Sequence, residues 1–198
     1  MGYIKSQINK LIKDNSGKAN ARKASEEWFE KAIKSRKINE AASSRDRFLP
    51  GKIYVFEYKP ITENLPWFDR NPVVLAIERV GNNDLGVNLN LLPVEFKEKL
   101  LDKLYDMMEG QIKNASAGNL KENAIKQKPL RITNEGVKTF LQSEGYEFAI
   151  RQYIPSRKIK QSVVSYENWA KIILCDFIDL EGITINQVKK LFKINQSK

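Results

Sequence analysis

Lysine and arginine neutralise phosphates and aromatic faces stack on nucleobases, so a chain that interleaves the two carries the chemistry of polyanion binding. The cations gather in two places. Arg22, Lys23, Lys34, Arg36, Lys37, Arg45 and Arg47 precede the first strand pattern, and Arg151, Arg157, Lys158 and Lys160 lie in the C-terminal third. Residues 1–47 hold 12 Lys and Arg against 6 Asp and Glu, while four lysines and no acid follow Glu181. With a net charge of +10, both ends are basic. That charge suits double-stranded DNA or an acidic protein surface, and a merely solvated surface answers to the same composition.

Catalytic chemistry has fewer footholds. The 198 residues contain no histidine, which removes the usual general base, the Ser-His-Asp and Cys-His arrangements and most zinc sites. The one cysteine, Cys175, sits in the apolar run Ile172-Ile173-Leu174-Cys175 and reads as a small buried hydrophobe. Glu57, Glu63, Asp69 and Glu78 could pair for acid–base work, but nothing in their spacing demands it. Gly81 to Gly86 lacks the Gly-Lys-Ser/Thr of a phosphate loop. Any enzyme chemistry would therefore have to run on carboxylates, lysine, arginine or tyrosine, and no catalytic residue, metal or cofactor is assigned from the residues. Partner contacts are expected at two aromatic pairs. Trp28-Phe29 would anchor the basic helix, and Trp67-Phe68 with Asp69 would form either a docking plug or the lid of a core.

The elements that must hold these residues follow from periodicity. Ile4, Ile8, Leu11 and Ile12 recur at helical spacing, and a second helix over about 19–42 places Ala24, Trp28 and Ala32 on one side. Its apolar stripe is thin, so residues 1–47 read as a basic arm that docks on a partner, with an ordinary helix lying on the domain as the alternative. Ile53 and Val55 with Phe56 or Tyr58 alternate as a strand, Val73–Val80 is a strand covered on both faces, and Leu85–Leu92 returns after the turn at Gly81-Asn82-Asn83-Asp84. Pro93 opens a helix carrying Phe96, Leu100, Leu104 and Met108. Thr133 caps a helix with Val137, Phe140 and Leu141 that closes at Gly145; an extended segment at 148–154, a basic turn at 156–158 and a helix around Trp169 follow. The expected organisation is a basic helical arm (1–47), a β-barrel core with inserted helices (48–183) and a basic C-terminal helix or tail (184–198).

Two families share motifs with this chain. Trp28-Phe29, then Gly51-Lys52-Ile53-Tyr54-Val55-Phe56-Glu57-Tyr58-Lys59-Pro60, Leu65-Pro66-Trp67-Phe68-Asp69-Arg70-Asn71-Pro72 and Gly86-Val87-Asn88-Leu89-Asn90-Leu91-Leu92 resemble, in that order, small tailed-bacteriophage proteins labelled virion structural or DNA-end-protecting. The family's Tyr-Tyr is Trp67-Phe68 here and its histidine is Asn90, so no role that needs that histidine carries over. More locally, Pro50-Gly51-Lys52-Ile53-Tyr54-Val55 and Arg70-Asn71-Pro72-Val73-Val74-Leu75 resemble the opening of MazF/PemK-type toxins, which are SH3-like barrels that cleave messenger RNA. Together they imply an α+β fold built on a small antiparallel SH3-like barrel. The function the first implies is a non-enzymatic virion structural protein of the neck, tail or baseplate, or one that protects or packages DNA ends. It would be made in the host cytoplasm and carried in the virion in several copies beside other phage subunits, with double-stranded DNA as a further partner and no membrane contact. The alternative is a toxin-type endoribonuclease using Arg70 beside Thr62 or Glu63.

Overall fold

The structure, a computed structural model, describes residues 3–35, 47–59, 61, 70–104, 134–175 and 186–187. Two helices open the chain, α1 (Tyr3–Asp14) and α2 (Lys18–Ser35). Strands β1 (Ile53–Tyr58), β2 (Val73–Val80) and β3 (Asn83–Asn88) follow. Helix α3 covers 94–104, and α4 (Asn134–Ser143), β4 (Ile150–Tyr153), β5 (Lys158–Val164) and α5 (Trp169–Leu174) complete the described order. The fold class is α+β, as expected.

The strands form one antiparallel sheet in the order β4-β3-β2-β1-β5. No pairing joins β4 to β5 among the described residues, so the expected closed barrel is replaced by an open sheet. That sheet is nevertheless strongly curled. Its two edge strands are consecutive in sequence and are joined by only four residues, part of them in the 3₁₀ turn Pro155–Arg157. Five peptide steps reach at most ~18 Å even when extended, whereas five flat strands span ~19 Å. A 3₁₀ turn is far shorter than extended chain, so the edges must bend toward each other. Side chains report the same bend: Phe56 of β1 and Tyr153 of β4 lie three strands apart, yet their ring centres are 5.2 Å from each other.

Alternation along β1 and β2 divides the core in two. Ile53, Val55, Val73, Leu75 and Ile77 face the helices, while Tyr54, Phe56, Val74 and Ala76 face the hollow of the curl with Phe48 and Tyr153. The sequence preceding β1 fills that hollow. Phe48 stacks on Tyr54 at 4.6 Å, and the Tyr54 hydroxyl accepts from the Leu49 N–H at 2.9 Å. Gly86 is dictated by the same crowding. A Cβ there would stand 2.2 Å from Val74 Cγ1 and 2.8 Å from the Leu75 carbonyl oxygen, distances that no side chain tolerates. Gly86→Ala should lower stability by about 1–3 kcal/mol, read as a fall in the urea midpoint, and adding Val74→Ala should return only part of it because the carbonyl clash stays.

Of the expected arm, residues 3–35 lie in the helical layer. Ile4, Ile8, Ala21 and Phe29 are buried in the main core, and α1 and α2 pack against α5. The Ile4 N–H donates to Asp102 Oδ1 of α3 at 3.2 Å, so a carboxylate from another element satisfies an N-terminal donor of α1. Among the described side chains the buried stripe of α2 is Ala21, Ser25 and Phe29, one position along from the expected Ala24 and Trp28; the Ala32 side chain lies outside them. Ser25 is tolerated there because its hydroxyl donates to the Ala21 carbonyl at 2.7 Å. Between the helices, Ser16 and Gly17 take positive φ, and the Gly17 N–H donates back to the Ile12 carbonyl at 2.9 Å, ending α1.

Helix α4 matches expectation in its buried face and its end, while the expected cap Thr133 lies outside the described residues. Val137 and Leu141 are buried, and Gly145 with φ 72° closes the turn as the Tyr146 N–H reaches the Leu141 carbonyl. Cys175 is buried at the end of α5, where its carbonyl accepts from the fully buried ammonium of Lys97. A cation at a helix C-terminus meets both the orphan carbonyl and the negative end of the macrodipole.

Candidate nucleic-acid interface

The basic residues of the described structure, those expected to touch phosphates and others beside them, fall into three groups. Lys158 and Arg47 turn inward. Lys158 is 2% exposed; its Nζ lies 2.6 Å from Asp84 Oδ2 and 4.0 Å from the centre of the Phe48 ring. Arg47 Nη1 donates to the Asn82 carbonyl at 2.8 Å and stands 3.9 Å from Asp84 Oδ1. Both cations therefore serve one buried carboxylate on β3, and Lys158 cannot reach a phosphate. The placement follows from register: Lys158 pairs with Tyr58, Asp84 pairs with Tyr153, and both strands point these residues into the hollow.

A second group remains at the surface. The 3₁₀ turn before β5 locks Arg157 against Lys59, since the Lys59 N–H donates to the Arg157 carbonyl at 3.0 Å and Arg157 Nη1 donates to the Lys59 carbonyl at 3.1 Å. The Lys59 side chain is exposed and Arg157 is partly so. Close by, Lys160 has φ 54° at a bulge where the β1–β5 register shifts between Val55 and Glu57, and its ammonium meets Glu57 Oε2 at 2.7 Å. Both side chains of that pair are nearly half exposed, so it is weak and leaves Lys160 available to an anion. Arg151, partly exposed on the edge strand β4, stands opposite Gly86.

The helices carry the third group. Lys5, Lys10, Lys13, Lys18, Lys23 and Lys31 are exposed, and Arg22 is paired with Glu26 at 3.1 Å. Of the remaining expected phosphate contacts, Arg36, Lys37 and Arg45 lie outside the described residues, as does the Lys34 side chain; Trp67, Phe68 and Asp69 of the aromatic loop, with Thr62 and Glu63, lie outside them too. The other aromatic pair splits. Phe29 is 2% exposed and belongs to the core, which removes it as a partner anchor, whereas Trp28 stays half-buried with Lys171 Nζ 4.9 Å above its ring.

Sequence reasoning missed Lys59, whose partner across the sheet depends on β5, and Asp84, which reads as a turn residue until the register shows it facing inward. Among the described residues no group of three or more His, Cys, Asp or Glu could hold a metal ion, and no helix is long and apolar enough to cross a membrane. Comparison with known proteins gives one finding: the model of the family described as phage T4 terminal DNA protecting protein matches residues 2–183. No curated protein and no solved structure shows a significant match.

Proposed function

We propose a function from one premise: the chain belongs to the phage T4 terminal DNA protecting protein family, whose model covers it from residue 2 to residue 183. On this reading it covers the ends of phage DNA by binding and breaks no bond. The family match is the observation that carries the reading, and the surface chemistry agrees with it. A net charge of +10, the exposed cations Lys59, Lys160 and Lys23 and the partly exposed Arg157 suit a phosphate backbone, which any DNA end presents whatever its sequence. Bound there, the protein keeps exonucleases off by occupying the terminal duplex. In the particle its neighbours are other phage subunits near the neck, tail or baseplate, and it is present in several copies.

The full chain mixed with linear blunt duplex should slow degradation by an exonuclease, while a closed circle of the same DNA cut internally by an endonuclease should gain nothing. Affinity should fall by about 10³-fold between 50 and 200 mM salt if about six phosphates are neutralised. Lys59→Glu with Arg157→Glu should weaken binding to all sequences alike and flatten the salt dependence by about one unit for each phosphate no longer neutralised. Equal protection of ends and circles would overturn the reading, as would clean cleavage of single-stranded RNA abolished by Arg70→Ala, which belongs to a toxin-type nuclease.

A further inference from the structure

The protection reading leaves unused a surface on the helical side around α5. Trp28 of α2 is half-buried, and Lys171 Nζ of α5 lies 4.9 Å above its ring and 3.2 Å from Asn168 Oδ1. Asn168 Nδ2 donates to Ser165 Oγ at 3.0 Å. Beside Ser165, the Tyr166 ring rests 4.7 Å from the fully buried Trp169 and carries Lys52 Nζ 5.1 Å above it. Burial pushes the Tyr166 phenol up to about 12, so it stays neutral and presents a ring with no charge of its own. Trp28, Lys171, Asn168, Tyr166 and Lys52 are all partly exposed. The acid nearest in sequence, Glu167, is held by the Ser165 hydroxyl at 3.0 Å. A connected strip therefore runs ring, cation, ring, cation from Trp28 of α2 and Lys171 of α5 through the turn before α5 to Lys52 just before β1.

We propose that this strip takes unpaired terminal nucleotides of DNA, with bases on the Trp28 and Tyr166 rings and the intervening phosphates on Lys171 and Lys52. Alternating π faces and ammonium groups form the surface that a single strand recognises without regard to sequence. In the free protein each ammonium covers its ring; an arriving phosphate draws the ammonium aside and uncovers the face for a base. The exchange is favourable because base–aromatic stacking exceeds a solvent-exposed cation–π contact. The inference rests on the protection reading and adds to it a preference for ends that carry a single-stranded tail.

The test uses the full chain with fluorescein-labelled duplexes that are blunt or bear a short thymidine tail. Wild type should bind the tailed duplex at least about tenfold more tightly, a ratio within the range that one stacked base contributes. Trp28→Ala and Tyr166→Leu should each remove most of that preference while blunt binding stays as it was, and Trp28→Phe should keep much of it. Lys171→Gln should lower the salt dependence for the tailed duplex alone, by about one unit. Equal affinity of wild type for the two ends would overturn the strip and leave end protection standing. A preference untouched by Trp28→Ala and Tyr166→Leu would place the tail elsewhere and likewise overturn it. Failure to bind or protect either duplex would overturn the protection reading itself.

Discussion

Lys158→Ala should lower the unfolding free energy by about 3–5 kcal/mol, the range for removing one member of a buried ion pair. The ammonium is enclosed on every side that matters: Asp84 Oδ2 at 2.6 Å, the Phe48 ring beneath it, and side-chain exposure of 0% for both partners. Without it the Asp84 carboxylate stays in an aromatic hollow facing only Arg47, at 3.9 Å and a third exposed, which is too far and too wet to replace a direct ion pair. The alternative, that the pair merely decorates the fold, makes a different forecast. Asp84→Leu with Lys158→Met removes both charges and fills the space, and should recover most of the stability, since apolar replacement of a whole buried pair is often neutral. Urea midpoints of the three proteins decide this. DNA affinity of the double variant should equal that of wild type, which separates Lys158 from the phosphate-binding cations it resembles in sequence.

Lys158 also shows where sequence reading reached its limit. The pattern of β1, β2 and the following hairpin was legible because β-branched and aromatic residues crowd there and a Gly-Asn-Asn-Asp turn divides them. Helices α1, α3 and α4 announced themselves through apolar residues at helical spacing, and Gly145 marked an end. β5, in contrast, reads Lys-Ile-Lys-Gln-Ser-Val-Val, with its first residue expected in a basic turn and no strand expected beyond it. Two of its polar residues, Lys158 and Gln161, are buried, and the counter-charge of Lys158 is far away in sequence. Periodicity weighs side chains one at a time, so it cannot foresee a charge whose counter-charge lies 74 positions upstream. Without β5 the position of Lys59 beside Arg157 was invisible, and so was the curl of the sheet. The α2 stripe failed for a related reason: Ser25 counts as polar until its hydroxyl is bonded within its own helix. What sequence did supply about function came from motif order, and the family match agrees with its DNA-end-protecting part.

Trp169→Ala should cost about 3–5 kcal/mol, as expected for emptying the site of the largest fully buried side chain among the described residues. Two contributions make up that cost. Most is the apolar area and the cavity left under α5, because α1, α2 and the sheet meet there and cannot all collapse inward. The rest is polar: Trp169 Nε1 donates to the Val164 carbonyl at 3.3 Å, and removing the indole leaves that carbonyl at the end of β5 without this donor. Trp169→Phe separates the two, keeping a ring in the cavity while deleting the donor, and should cost about 1–3 kcal/mol. Chemical denaturation gives both values. The consequence extends to the surface, since Trp169 supports the Tyr166 ring from below and fixes the turn of α5 from which Lys171 reaches Trp28. Under folding conditions Trp169→Phe should therefore weaken binding of a tailed duplex by a small factor with blunt binding unchanged, whereas weakening confined to blunt ends would place the indole's influence at the Lys59 and Arg157 turn instead.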